Sequence, residues 1–223
     1  MSEFLQIHPD NPQPRLITKA VNIITSGGLV VYPTDSCYAL GCSLGNVKAV
    51  ERIRQIRQVD DKHNFTLVCR DLSELGQYSV VDNASFRLLK SHTPGPYTFV
   101  LKATREVPKR MQQPKRRTIG LRIPEHAVAQ ALLEELDQPL ISSTLLLPND
   151  EMPLSDIDEI GERLGHLVDL IIDGGYCGTE ATTMVDLADE GFQILRKGKK
   201  SFPQWNFVPY GDEKAIKTIL RIG

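Results

Sequence analysis

Apolar residues first recur at helical spacing between residues 12 and 27, where Leu16, Ile17, Ala20, Val21, Ile23 and Ile24 share one face and Gly27-Gly28 ends the run. Gly28-Leu29-Val30-Val31 is short and unbroken, and it predicts a buried strand over 29–32. The same two periods then alternate down the chain. Helices are predicted over 46–56 with Asn46 as N-cap, from Asp71 for a short stretch, over 82–91, from His126 to Leu136 and from Asp156 to Leu164. Strands are predicted from Phe65 to Cys69, Tyr97 to Leu101, Thr118 to Ile123, Leu140 to Leu147, Leu167 to Ile172, Thr183 to Leu187 and Gln193 to Arg196. Some strands follow one another with no helix between them. The fold class is therefore α/β with a mixed parallel and antiparallel sheet, not a purely parallel one. Residues 12–200 read as one domain. Residues 201–223 read as an aromatic, proline-bearing arm and a short amphipathic helix from Asp212 to Leu220, with Ala215, Ile216, Ile219 and Leu220 inward.

Composition narrows the class. The 223 residues are 41% apolar and 24% charged, as in an ordinary globular chain. No apolar run reaches the roughly 18 residues that a bilayer demands, and Met1 to His8 has neither the basic nor the apolar part of a signal peptide. A cytoplasmic protein without a membrane partner is expected. Cys37, Cys42, Cys69 and Cys177 form no C-x-x-C pair, and the histidines complete no zinc pattern, so no metal ligands are assigned.

The net charge of −2 is unevenly spread. Lys102 to Arg122 carries eight basic residues and the single acid Glu106. Such a segment suits a surface that faces phosphates or RNA, and it suits equally a solvated basic loop. Lys109, Arg110, Lys115, Arg116 and Arg117 are its candidate RNA contacts. Few aromatics interleave them, so sequence-specific reading is not expected.

The chain lacks a Walker A loop, a G-x-G-x-x-G turn and a nucleophile elbow. What it has is a series of strand-end elements in fixed order. These are Tyr32-Pro33-Thr34-Asp35-Ser36-x-Tyr38, Arg54-x-x-Arg57, Pro94-Gly95-Pro96-x-Thr98, Leu121-Arg122-Ile123-Pro124, Pro139-Leu140-Ile141-Ser142-Ser143-Thr144, and Thr182-Thr183-x-Val185-Asp186 with Arg196-x-Gly198. Loops at strand ends are where α/β proteins carry function.

In these elements, over roughly residues 12–200, the chain resembles the YrdC-like family of threonylcarbamoyl-adenylate synthases and their relatives. His63-Asn64-Phe65-Thr66-Leu67 and Leu146-Leu147-Pro148 resemble its YciO branch. The resemblance implies a single twisted sheet with a concave basic face. It implies ATP, L-threonine and bicarbonate as partners, threonylcarbamoyl-AMP and pyrophosphate as products, and tRNA modification as the purpose. ATP would be a substrate, and Mg²⁺ would be held through its phosphates and water. Arg57 and Thr144 are the implied catalytic residues. Thr34, Tyr38, Arg54, Thr98, Arg122, Thr182 and Arg196 are the implied substrate and nucleotide contacts. Guanidiniums offer phosphate and carboxylate a planar pair of donors.

Two positions depart from the synthase pattern. Its Lys-x-Arg pair aligns with Gln55-Ile56-Arg57, and its Ser-x-Asn pair with Thr144-Leu145-Leu146. A cation and an amide are lost. Arg54 is one residue, or about 100° of helix, away from the missing lysine. Three readings follow: a weakened synthase, a non-catalytic module for double-stranded or structured RNA, and a nucleotide-binding regulator with the C-terminal arm as a lid that Trp205 would report.

Overall fold

Side chains alternate between the two faces of a strand, so the side a residue takes follows from the register of its neighbours. In the computed structural model, which describes residues 2–60, 63–189 and 191–202, this alternation organises one ten-stranded sheet. The strands are β1 (Glu3–Gln6), β2 (Val30–Tyr32), β3 (Ala39–Ser43), β4 (Thr66–Val68), β5 (Tyr97–Lys102), β6 (Thr118–Arg122), β7 (Leu140–Thr144), β8 (Leu170–Asp173), β9 (Thr183–Asp186) and β10 (Gln193–Arg196). Their spatial order is β1-β8-β2-β3-β7-β4-β6-β5-β9-β10. β1–β8, β2–β8, β4–β6 and β5–β9 are parallel; the other neighbours are antiparallel. The mixed sheet expected from the sequence is therefore present.

The helices are α1 (Pro14–Thr25), α2 (Val47–Arg57), α3 (Leu72–Tyr78), α4 (Asn83–His92), α5 (Ala127–Leu136) and α6 (Ile157–Leu164). Asn46, Asp71, Asp82 and Asp156 each accept a backbone N–H in the first turn of the following helix. These caps explain why those starts were readable in the sequence. Two strands were not anticipated. β1 lies before the first predicted element, and β3 falls within what read as a loop motif. The strand expected over 140–147 stops at Thr144, where the Leu146 N–H turns back to the Thr144 carbonyl at 2.9 Å. The strand expected from Leu167 starts at Leu170, because the Leu167 and Val168 N–H groups still close the end of α6 on the Leu164 carbonyl.

Two rows cross the middle of the sheet. Cys42, Ile141, Leu67, Leu121, Phe99 and Val185 are register partners in succession and are completely buried. They pack into a core with Ala49, Val50 and Ile53 of α2, Leu75 of α3, Leu88 and Leu89 of α4, and Ile160 and Leu164 of α6. One residue along each strand lies the opposite row: Gly41, Ser142, Thr66, Gly120, Val100 and Asp186. It must face the other way. On that side α1 and α5 form a second core with Val30, Tyr32, Ala39, Val68, Leu140, Leu170 and Ile172. Those residues belong mostly to β2, β3 and β8. The row from Ser142 onward is thus left as the floor of a concavity.

Tyr32 joins the two regions. Its ring lies across Gly41, where an added Cβ would come within 2.7 Å of Cε1. Its hydroxyl is 2.7 Å from Ser142 Oγ. Burial raises the phenol to about 12, and the Ser142 contact opposes the shift only in part. At the C-terminal end, Phe202 is buried against His92, Tyr97, Phe99 and Phe192. The rest of the predicted arm and the helix from Asp212 to Leu220 lie outside the described residues.

The apolar row makes a direct forecast. Leu121→Ala leaves a void opposite Gly120 and should lower the unfolding free energy by about 2–5 kcal/mol. Urea melts followed by circular dichroism would measure the loss.

An arginine-lined cavity on the open sheet face

The concavity encloses about 760 Å³. Its floor is built from small and hydroxyl residues: Thr66, Thr98, Thr118, Gly120, Ser142 and Thr144. Gly120 permits this depth. A Cβ there would stand 3.2 Å from both Thr66 Oγ1 and Thr98 Cγ2. Leu146, Met152, Pro153, Met184 and Leu195 form more apolar walls, and Arg57, Arg116, Arg122 and Arg196 bring guanidiniums to the same space.

Arg57 is the last residue of α2, where a cation also meets the negative end of the helix dipole. Its Nε donates to the Leu146 carbonyl at 3.1 Å and its Nη1 to Ser143 Oγ at 2.5 Å. Burial lowers this guanidinium below its ordinary value, and the nearby Arg196 adds repulsion. Arg196 reaches in from β10. Its Nε and Nη2 donate to the Thr182 carbonyl at 3.1 and 2.9 Å, and Nη2 also to Thr182 Oγ1 at 3.0 Å. Thr182 Oγ1 in turn meets Thr98 Oγ1 at 2.7 Å. Arg196 too is shifted down, first by burial and then by Arg122.

Arg122, at the end of β6, donates Nη1 to Ser36 Oγ at 3.2 Å and Nη2 to the Asp35 carboxylate. Its Nε and the second Asp35 oxygen are buried with no hydrogen-bond partner. Arg116 is held by Asp186 at 2.5 Å and Asp189 at 2.7 Å.

The implied site residues divide by position. Arg57, Thr98, Arg122, Thr144, Thr182 and Arg196 all line the one cavity. Thr34, Tyr38 and Arg54 lie outside its lining. Thr34 is the hub of a turn: its Oγ1 donates to the Cys37 carbonyl at 2.6 Å and accepts the Ser36 and Cys37 N–H groups. The hydroxyl is consumed by its own loop, which is how a threonine ties a turn. Tyr38 is buried and donates to the Gly175 carbonyl at 2.7 Å. Arg54 lies over the Phe65 ring, 5.3 Å from its centre, and pairs with Glu51 at 3.6 Å. Of the candidate RNA contacts, Arg116 lines the cavity, while Lys109, Arg110, Lys115 and Arg117 are exposed and outside its lining.

Several residues in the lining or bonded to it went unassigned in the sequence. His63 Nε2 is 3.2 Å from Ser143 Oγ and 3.4 Å from Arg57 Nη1. Burial, followed by the charges of Arg57 and Arg54, pushes its pKa down to about 4. Asp35 and Ser36, the partners of Arg122, stood inside a recognised motif. Nothing in one sequence could show that they meet a strand end 86 residues away. The Ser142-Ser143-Thr144 run did carry a signal, since consecutive hydroxyls in a strand must offer some to each face. Cys37 lines the wall as well, and burial raises its thiol, so it stays protonated.

No group of three or more His, Cys, Asp or Glu residues able to hold a metal exists among the described residues. The donor set suits anions. No helix among the described residues is long and apolar enough to cross a membrane.

One mixed sheet with an arginine-lined hollow on its open face defines a single-domain α/β protein. The chain belongs to the Sua5/YciO/YrdC family, whose model, described as "Telomere recombination", matches residues 22–198. YciO of Escherichia coli (strain K12) is 58% identical over 198 residues, covering 89% of this chain and 96% of that protein. The crystal structure of E. coli YciO superposes with a TM-score of 0.87 at 57% identity, covering 90% of this chain and 98% of that one. A threonylcarbamoyl-AMP synthase of Halorhodospira halophila is 28% identical over 189 residues, covering 84% of this chain and 98% of the synthase. The fold is also that of P. abyssi Sua5 complexed with L-threonine, with a TM-score of 0.81 at 24% identity, over 88% of this chain and 58% of that one.

The His63 environment yields a measurable consequence. A histidine held neutral in the fold favours the native state fully above its unfolded value of about 6.5. That contribution is lost as pH falls from there toward 4. Proton NMR of the His63 ring should titrate well below 6.5, and an anion placed against Arg57 should move the midpoint upward.

Proposed function

We propose that the cavity binds an adenine nucleotide and an amino-acid carboxylate, and that the protein is a threonylcarbamoyl-adenylate synthase-type nucleotidyltransferase of reduced rate. The observation that carries this reading is the convergence of Arg57, Arg122 and Arg196 with the hydroxyls of Thr98, Thr144 and Thr182 on one hollow. Family membership and the related synthase support it.

The reaction pits one anion against another. A carbamate oxygen of threonine forms a bond to the α-phosphorus, the bond from that phosphorus to the bridging oxygen of the β-phosphate breaks, and pyrophosphate leaves. Fixed cations and donors lower that barrier because they need no reorganisation as charge moves. Arg57 and Arg196 are desolvated and anchored to neutral oxygens, so they would act in this way. Thr144 would offer a hydroxyl beside them. Mg²⁺, held by phosphate and water, would supply further charge on the triphosphate.

The two departures fall differently. Leu146 lines the cavity, and its carbonyl already accepts from Arg57. An amide side chain there would restore a donor and an acceptor at the reacting end. Gln55 is exposed on α2 and outside the lining. It stands about 200° around the helix from Arg57, so a lysine there would have to curl back toward the site.

Purified protein with ATP, L-threonine and bicarbonate should release pyrophosphate slowly. Leu146→Asn should raise the rate by about tenfold or more, and Arg57→Gln should lower it by about 10²-fold. No release above the blank at high enzyme concentration would defeat the reading.

A second reading has its own observation. Lys109, Arg110, Lys115 and Arg117 are exposed, flank the lining residues Met111, Gln113 and Arg116 in sequence, and form no ion pair among the described residues. This exposed basic segment suits the backbone of structured RNA. Binding should weaken steeply with salt, and replacing Lys115 and Arg117 with Gln should flatten that slope; filter binding at several salt concentrations reads both. Association that ignores salt would remove this reading.

A further inference from the structure

The chain leaves two neighbouring strands toward opposite faces of the sheet. β4 and β6 pair in parallel. β4 runs on into α3, whose Leu75 packs in the core with Leu67 and Leu121. β6 runs on into α5, whose Val128 and Leu132 pack on the other face with Val68 and Leu140. Where such connections part, a crevice opens beyond the carboxyl ends of the strands, and open α/β sheets bind ligands there. The crevice in this sheet encloses about 750 Å³, a size suited to a small molecule, and shares no lining residue with the arginine-lined hollow.

Its chemistry differs from that of the hollow. Leu72, Pro94, Ile123, Pro124 and Ala127 give it apolar walls. Its charged members are one cation, Arg70, and two carboxylates, Asp71 and Glu125. Each is already opposed: Arg70 meets Asp71 at 3.5 Å and Asp137 at 2.9 Å, and Glu125 meets Lys200 at 3.7 Å. No cation is left over for a phosphate or a carboxylate. The neutral groups are biased toward accepting. Thr93 Oγ1 donates to the Leu89 carbonyl and Gln130 Nε2 to the Pro124 carbonyl, both at 2.8 Å. The Thr93 lone pairs and Gln130 Oε1 therefore remain as acceptors. His126 adds an imidazole that burial holds neutral by lowering its pKa. Its Nδ1 is buried without a partner, which leaves Nε2 as the nitrogen a ligand can meet.

We propose that this crevice is a second ligand site, for an uncharged amino-bearing heterocycle of the nucleobase class. Such a molecule lays flat apolar faces against Leu72 and the prolines and brings N–H donors to Thr93 and Gln130. The site goes beyond the nucleotide reading of the hollow and does not depend on it.

Proton NMR of the full chain, with adenosine as the probe, tests this, because one histidine lines each cavity: His126 here and His63 in the hollow. Adenosine should shift the His126 ring signals saturably. Purine riboside, which lacks the amino group, should bind about tenfold more weakly. AMP should bind at His126 no more tightly than adenosine, since its phosphate finds no free cation. Ser73 is exposed on the crevice wall, so Ser73→Trp should obstruct the opening and weaken the His126 response at least about tenfold, whether or not adenosine also moves His63. A His126 ring that adenosine leaves unmoved would overturn the inference. So would purine riboside binding as well as adenosine, AMP binding there tenfold more tightly, or an undiminished His126 response in Ser73→Trp. Each of these results leaves the reading of the hollow, which His63 reports, to stand or fall separately. The native series decides the matter even if the variant fails to fold.

Discussion

Everything about this molecule depends on the register that aligns Ile141, Leu67, Leu121 and Phe99 across four adjacent strands. A slip of one residue in any of them would turn an apolar side chain out and a polar one in. The buried row therefore pins the opposite row, and so fixes Ser142, Thr66 and Gly120 as neighbours on the exposed face. The cavity floor is thus a by-product of the core. The helices complete it by omission: α1 and α5 cover one part of that face and leave the remainder open.

Charge is arranged on this floor with restraint. Arginines are needed where phosphates and carboxylates are to be held, yet four unpaired guanidiniums so close together would repel one another. Two are pinned by carboxylates and two by neutral oxygens. The burial that lowers Arg57 and Arg196 also leaves them poorly hydrated, and a poorly hydrated cation interacts more strongly with a nearby anion.

Much of this was legible in the sequence. Caps such as Asn46 and Asp71 marked helix starts locally, and short apolar runs marked most of the central strands. The ordered strand-end motifs supplied Arg57, Thr98, Arg122, Thr144, Thr182 and Arg196, which do meet. What stayed hidden was orientation. Thr34 and Tyr38 sit in the same motif as Asp35, yet their hydroxyls go to backbone carbonyls. The choice is made by turn geometry and by Gly175 far along the chain. Arg54 and Arg57 share a helix end, and rotation about its axis sends one to Phe65 and the other to Ser143. β3 was obscured because Ala39-Leu40-Gly41 is too short a run to outweigh its polar flank, and pairing with β7 on one side and β2 on the other settles it.

The contact of the Tyr32 ring with Gly41 restricts how the family could diversify through this chain. Any side chain at position 41 would evict the ring and pull its hydroxyl from Ser142. Adaptation to new ligands is thereby steered away from that corner. It is left to the looser borders of the hollow, where Met152 and Leu195 stand largely in solvent and can be exchanged without disturbing the helical layer beneath.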